Sequence, residues 1–364
     1  MAVKKDIFIN ARFLTQSITG VQRVSFEIVK SLDKLIESGI IDISHHSITL
    51  LTPKGVINKI HLKNLKIRCV GQLSGHLWEQ IELPFYTRAG LLLSLGGTGP
   101  ILKRNQLVFM HDASVAAAPG GFSRNFRLWY KFLMPILGVV AKKIFTNSEF
   151  SKNEIVKHFR IAEKKIRVVY LGCNHIETLS EDAEILRTNA LVKNNYVLAV
   201  SSMNPNKNFS GLVKSLERLD CSNLDIVIAG GTNSKVFAES TPLSLNRLKL
   251  VGFVDDAALK TLYANAACFV YPSFYEGFGL PPLEAMQCGC PVIVSNAASL
   301  PEICDDAAVY CDPYNPQDIA DKIMQVVNNP ETRNKLISKG YDRVRLFSWD
   351  KCALEISSSI FSTI

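Results

Sequence analysis

Short, almost unbroken apolar runs alternate along this chain with longer stretches in which apolar residues recur every third or fourth position. Unbroken runs of strand length predict strands buried on both faces, and the three-to-four spacing predicts amphipathic helices. Toward the N-terminus, strands are predicted at residues 6–10, 47–51, 65–70, 91–95, 106–110, 143–146 and 166–171. Helical spacing runs over 21–37 through Val21, Val24, Ile28, Leu32, Leu35 and Ile36, and Ser148 stands where it can cap a helix over 152–159. A polar stretch at 173–195 interrupts the pattern. It restarts with strands at 196–201, 224–229, 248–251, 268–271 and 292–295, and with helices at 209–219, 256–266, 316–328 and 331–344. Strands that are apolar throughout and alternate with helices predict parallel sheets covered on both faces. Two such sets predict an α/β chain of two doubly wound domains with a cleft between them, and ligands bind such sheets beyond the carboxyl ends of their strands.

Composition narrows the class. At 364 residues, 47% hydrophobic and 20% charged, the chain reads as a soluble globular protein. No apolar run is long enough to cross a bilayer and no secretory signal opens the chain, so a cytoplasmic location is expected. Nine cysteines form no CxxC pair, and Cys288 and Cys290 stand too close for an ordinary disulfide, which favours reduced thiols. The net charge of +8 is unevenly spread. Residues 1–175 hold 25 lysines and arginines against 11 aspartates and glutamates, a net +14, and the rest of the chain is net −6. An anionic partner is therefore expected at the N-terminal half alone, either nucleic acid or a membrane surface, unless the lysines only solvate it. No helix-turn-helix, zinc finger or RNP pattern supports nucleic acid, so none is expected as a partner.

The most informative stretch is 271–289, YPSFYEGFGLPPLEAMQCG. It opens in an apolar strand, passes through a loop holding Glu276, Gly277 and Gly279, and enters a helix with Pro281, Pro282 and Glu284 in its first turn. A helix N-terminus suits a diphosphate, and glycines let backbone approach it closely. Two carboxylates beside an anion site make sense if they face hydroxyls, as on a sugar and a ribose.

This segment resembles the E-x7-E motif of retaining GT-B glycosyltransferases, family 4, with Glu276 and Glu284 as its carboxylates. The resemblance implies two Rossmann-like domains, residues 1–175 for the acceptor and 176–345 for the donor. It also implies a C-terminal helix over 346–364, opening at Phe347-Ser-Trp349, that returns to the first domain. It implies that Glu276 meets donor-sugar hydroxyls, Glu284 the ribose, and the backbone at Gly277, Phe278, Gly279 and Leu280 the diphosphate. Lys207 follows a strand end and precedes a helix, a good place to hold phosphate. The family grips the diphosphate there with a lysine and often an arginine one turn earlier, where this chain has Ser201 and Ser202. Ser202, Gly230, Phe253 and Gly20 complete the expected donor set, Gly20 within a loop resembling the family's N-terminal glycine loop.

His111 and Asp112 end the strand predicted at 106–110, where a side chain points to a ligand; the family has a histidine here. His111 is expected to orient the donor sugar or to bond the leaving oxygen, and Asp112 and Glu149 to line the acceptor side. Catalysis is thus expected of Glu276, His111 and Lys207. No DxD is present, Asp256 has a plain role as a helix cap, and no metal or other cofactor is expected. Residues 124–143 mix Phe126, Trp129, Tyr130 and Phe132 with Arg124, Arg127, Lys131, Lys142 and Lys143, which suits an interfacial helix on an anionic membrane or the packing of a long core helix.

The resulting expectation is a metal-independent retaining transferase. It moves a hexosyl group, mannose-type favoured, from a nucleotide-diphosphate sugar to a saccharide or lipid-linked saccharide of a bacterial surface polysaccharide. It would sit peripherally on the inner face of the plasma membrane. A nucleotide-sugar epimerase or phosphorolytic enzyme of the same fold, and a non-catalytic subunit that binds nucleotide sugar, remain as alternatives.

Overall fold

A computed structural model describes residues 5–201, 204–219, 224–231 and 247–364. The chain forms two compact units. One comprises Met1–Gly172 with Trp349–Ile364, the other Cys173–Ser348. The boundaries thus fall at 172/173 and 348/349, where the sequence put 175/176 and 345/346.

In the first unit, strands β1 (Lys5–Asn10), β2 (His46–Thr52), β3 (Lys66–Cys69), β4 (Leu91–Ser94), β5 (Gln106–Phe109), β6 (Lys143–Thr146) and β7 (Ile166–Val168) form one sheet. Its order is β3-β2-β1-β4-β5-β6-β7, with every pairing parallel. β4 and β5 are wholly buried, as strands that are mostly apolar require, with Ser94 and Gln106 buried at their ends. The helix Gly20–Glu37 buries Val24, Ile28, Leu32 and Leu35 and starts in a capping box between Thr19 and Gln22. The C-terminal helix Trp349–Phe361 packs on it, and Lys34 meets Asp350 across 2.7 Å.

The helix Arg124–Val140 buries Leu133, Met134 and Leu137 in a core with Val108, Ile144 and Ile155, while Leu128, Phe132 and Val139 stay exposed. The core-packing reading of this segment therefore holds for its buried face. Lys142 and Lys143 lie beyond its end and turn to the C-terminal segment, Lys142 reaching Thr363 O past the last helix at 3.4 Å and Lys143 reaching Ser359 Oγ within it at 3.5 Å. A further helical run, Gly75–Leu77, Trp78–Glu82 and Leu83–Tyr86 with a wide central turn, was not expected from sequence. It leaves Leu77, Ile81 and Phe85 exposed on one row.

The second unit carries β8 (Tyr196–Ser201), β9 (Asp225–Gly230), β10 (Leu248–Gly252), β11 (Cys268–Tyr271), β12 (Val292–Ser295) and β13 (Ala308–Cys311). They form a parallel sheet in the order β10-β9-β8-β11-β12-β13. β13 is missing from the sequence expectation because its four residues follow an acidic turn and show no longer run. Asp255, not Asp256, caps the helix Asp256–Asn265, accepting from Ala258 N at 2.9 Å. Among the described residues no helix is long and apolar enough to cross a membrane.

Candidate active site

Renumbered from its own first strand, the second sheet reads 3-2-1-4-5-6, the order of a Rossmann sheet. Its strand order reverses between β8 and β11, and ligands bind such sheets at that point, beyond the strand ends. Two segments leave the sheet there. After β8 comes the short turn Pro205–Lys207, and after β11 the loop with Glu276. Asn208 joins them. Its side chain donates to Pro272 O at 3.1 Å and Pro313 O at 2.6 Å, and accepts from Gly211 N at 3.1 Å, capping the helix Phe209–Leu216. Phe274 N also donates to Asn206 O at 2.8 Å.

This scaffold brings Lys207 and Glu276 together. The ammonium donates to Glu276 Oε1 at 2.6 Å and to the Tyr271 hydroxyl at 2.6 Å. Both partners are mostly buried, with side chains 20% and 12% exposed. Burial works against the ammonium, but the Glu276 charge outweighs it and holds Lys207 above the usual lysine range. Burial, then Glu276, push the Tyr271 phenol up, so it stays neutral. Lys207 is therefore a permanent cation beside a carboxylate at the switch point.

The loop after Glu276 is shaped by one residue that sequence reasoning missed. The Ser299 hydroxyl lies 3.0 Å from Glu276 O and 2.9 Å from Phe278 O, within donating reach of either carbonyl. No motif marks it; only the fold brings it under the loop. The Phe278 side chain is buried, edge-on to Phe347 at 5.8 Å. Gly279 has φ +107°, and a Cβ there would stand 2.8 Å from Leu300 Cδ2, so only glycine suits the position. The helix Leu280–Gln287 follows, with proline in its first turn. Glu284 is its fifth residue, so it lies in the second turn, not the first. It is 9% exposed. His175 Nε2 stands 3.2 Å from its Oε1, and the Tyr263 hydroxyl donates to Oε2 at 3.3 Å.

Of the other expected donor residues, Gly230 ends β9 with φ +122°. Phe253 follows Gly252 (φ +71°) and is 85% exposed. Ser202 lies outside the described residues. In the first unit, Gly20 is not in a loop but opens the helix Gly20–Glu37, and a Cβ there would meet nothing within 4 Å.

His111 follows β5, buried, with its ring tilted by 32° to that of Phe109 at 4.9 Å. Its Nε2 lies 2.9 Å from Leu95 O, and a carbonyl only accepts, so Nε2 carries the proton. Burial depresses its basicity, which favours the neutral ring. Asp112 Oδ1 accepts from Ser114 N at 2.7 Å, closing a local turn. Glu149 is exposed in the first turn of the helix Glu149–Phe159 and pairs with Lys152 at 3.2 Å.

The switch point of the first sheet lies between β1 and β4, and it holds a buried network absent from the sequence expectation. Glu79 accepts from Asn10 Nδ2 (2.7 Å), Arg12 Nε (3.3 Å) and the Thr98 hydroxyl (2.8 Å), and lies 3.3 Å from His76 Nδ1. Burial alone would raise its pKa, but the Arg12 charge and the contacts of His76 and Thr98 prevail and hold it at about 2. Among the described residues no three His, Cys, Asp or Glu side chains group as a cation site.

Two units, each built on a parallel Rossmann-like sheet, define a GT-B fold. Comparison with known proteins agrees. Residues 181–343 match the family described as glycosyl transferases group 1. O-antigen chain mannosyltransferase B of Escherichia coli is 34% identical over 256 residues, 67% of each chain. O-antigen chain mannosyltransferase RfbU of Salmonella typhimurium is 29% identical over 237 residues, 64% of each chain. Anabaena Alr3699/HepE, solved with UDP and glucose, superposes with TM-score 0.74 at 17% identity, covering 99% of this chain and 100% of that one. WaaG, a glycosyltransferase involved in lipopolysaccharide biosynthesis, superposes with TM-score 0.73 at 15% identity, covering 98% and 99%. This chain belongs to the group 1 glycosyltransferase family, and it is a glycosyltransferase.

Proposed function

We propose that the protein is a retaining, metal-independent hexosyltransferase of family 4. It moves mannose from a nucleotide-diphosphate sugar to a saccharide or lipid-linked saccharide in the synthesis of a bacterial O-antigen or related surface polymer. The mannose and O-antigen assignments rest on the two mannosyltransferase relatives. The observation that carries the donor reading is the Lys207–Glu276 pair at the switch point, beside the Gly279 helix start.

In this reading the diphosphate takes over the Lys207 ammonium and the helix N-terminus, and Glu276 turns to the sugar hydroxyls. Lys207 and backbone N–H groups near Leu280 then stabilise the charge that develops on the departing phosphate. The sequence has no DxD, so these groups do the work a divalent ion would do elsewhere. Glu284 receives the ribose, and the exposed Phe253 covers the base. Neutral His111, with its proton on Nε2, accepts a sugar hydroxyl through Nδ1; it orients the sugar instead of protonating the leaving oxygen. The acceptor is taken by the first unit, around Asp112.

The same unit is proposed to rest on an anionic membrane. Arg124, Arg127, Leu128, Lys131 and Phe132 are exposed at helical spacing on the helix Arg124–Val140. Trp129 of that helix meets His76, 6.0 Å between rings, so the exposed Leu77–Ile81–Phe85 row belongs to a neighbouring helix.

Thermal unfolding measured against a panel of nucleotide-diphosphate hexoses, followed by transfer assays with the donors that stabilise the protein, tests the reading. A GDP- or UDP-linked hexose should raise Tm and yield an extended glycan. Sugar-nucleotide turnover without glycan product would point to an epimerase instead, and EDTA-sensitive turnover restored by Mg²⁺ or Mn²⁺ would overturn the metal-free part.

A further inference from the structure

We infer that His175 and Tyr263 are positioning residues that hold the Glu284 carboxylate in the orientation that selects a ribose-bearing donor; this rests on the proposed role of Glu284.

The geometry is specific. His175 Nε2 lies 3.2 Å from Glu284 Oε1, and the Tyr263 hydroxyl lies 3.3 Å from Oε2. Each oxygen thus has its own partner, and the partners come from different elements. His175 belongs to the short turn Asn174–Ile176, which opens the second unit, and Tyr263 to the helix Asp256–Asn265. Two anchors on two elements fix both the position and the plane of a carboxylate, where one anchor would leave it free to rotate. Tyr263 is itself fully buried and set edge-on to Phe269 at 5.3 Å.

Chemistry explains why such anchoring is useful. A carboxylate has about four acceptor sites, so it can be held by two donors and still receive hydroxyls. Adjacent hydroxyls on a ribose are best received by a carboxylate whose plane is fixed beforehand, because the rotor entropy is then already lost. The side chain is buried, and a buried carboxylate is costly in its charged form unless the charge is compensated.

The test is the ratio of dissociation constants for ribo- and 2′-deoxyribonucleotides, measured by calorimetry with GDP, 2′-deoxy-GDP, UDP and 2′-deoxy-UDP. Wild type should favour the ribo form of the base it accepts by about ten-fold or more, the worth of a hydrogen bond to a charged group. His175→Phe keeps the volume but removes the donor, and the preference should fall to within about three-fold. Tyr263→Phe should reduce it as well. His175→Gln, which can still donate, should restore most of it.

A residue with a merely structural role would lower Tm and leave the ratio unchanged. If His175→Phe does not fold, Tyr263→Phe and His175→Gln carry the test, since Tyr263→Phe removes only a hydroxyl. A wild-type ratio in Tyr263→Phe together with one in His175→Phe would overturn the inference. Glu284→Gln separates it from the reading beneath it. Loss of the preference there but not in the two positioning variants sinks this inference alone. An unchanged preference in Glu284→Gln, or no binding of any of the four nucleotides to wild type, removes the Glu284 reading and the inference with it.

Discussion

Lys207 donates to Glu276 across 2.6 Å, so the cation and the carboxylate of the candidate active site start out bound to each other. A donor that engages both must separate them, and its diphosphate and hydroxyls must replace the contact they lose. That exchange makes the two residues interdependent in binding. Each can be tested separately.

Lys207→Ala should weaken the affinity for free nucleoside diphosphate by ~1.5–3 kcal/mol, the worth of one charge-assisted hydrogen bond. Calorimetry with GDP and UDP reads this directly. An affinity equal to that of wild type would show that Lys207 serves only Glu276 and Tyr271.

Gly279→Ala should both destabilise the second unit and stop transfer. Its φ of +107° is unfavourable for alanine, and the new methyl would press on Leu300. Strain of this kind costs on the order of 1–3 kcal/mol. A thermal scan in which the variant matches wild type would mean the loop adapts without cost.

Glu79 gives a pH-dependent test in the first unit. Its folded pKa of about 2 lies below an ordinary value of 4.5. A depressed carboxylate pKa contributes stability that is present above the unfolded value and lost as pH falls through the folded one. The shift corresponds to about 3 kcal/mol at neutral pH, at roughly 1.4 kcal/mol per pH unit. Glu79→Gln should therefore lower Tm most above pH 5, and the gap to wild type should close as pH falls from 4.5 toward 2. A gap that is constant across this window would place the loss in packing or hydrogen bonding, not in the ionised Glu79.

Vesicle binding tests the membrane surface. Replacing Arg124, Arg127 and Lys131 with glutamine should lower affinity for phosphatidylserine vesicles by about 3 kcal/mol at low salt, near 1 kcal/mol per charge. Ile81→Ser with Phe85→Ser should weaken it further, and transfer to a short soluble acceptor should persist in both. Lys142 and Lys143 are poorer targets because they reach the C-terminal segment. Equal binding to neutral and anionic vesicles would refute an electrostatic attachment.

What was legible in the sequence follows from how local the signal is. β4, β5, β8 and β11 are apolar except for one terminal residue in each of the first three, Ser94, Gln106 and Ser201, so two parallel sheets could be read from the pattern alone. The Glu276 loop was legible because its glycines and prolines are demanded by local backbone geometry. Lys207 was legible from its place after a strand, but its pairing with Glu276, 69 residues away, was not. The Glu79 network draws on β1, β4 and a helical run with a wide turn, a break in the 3.6-residue period that periodicity cannot show. His175 and Ser299 lie far in sequence from the carboxylate and the loop they hold. Gly20 resembled a loop glycine, yet Thr19 and Gln22 cap a helix around it, and the residue itself could not reveal which.

The stereochemistry of transfer tests the central claim most directly. With the nucleotide-diphosphate hexose that stabilises the protein, the new glycosidic linkage, assigned by NMR, should keep the anomeric configuration of the donor. Glu276→Ala should fold with a Tm close to that of wild type and form no detectable product. An inverted linkage, or turnover in Glu276→Ala comparable to wild type, would contradict the account.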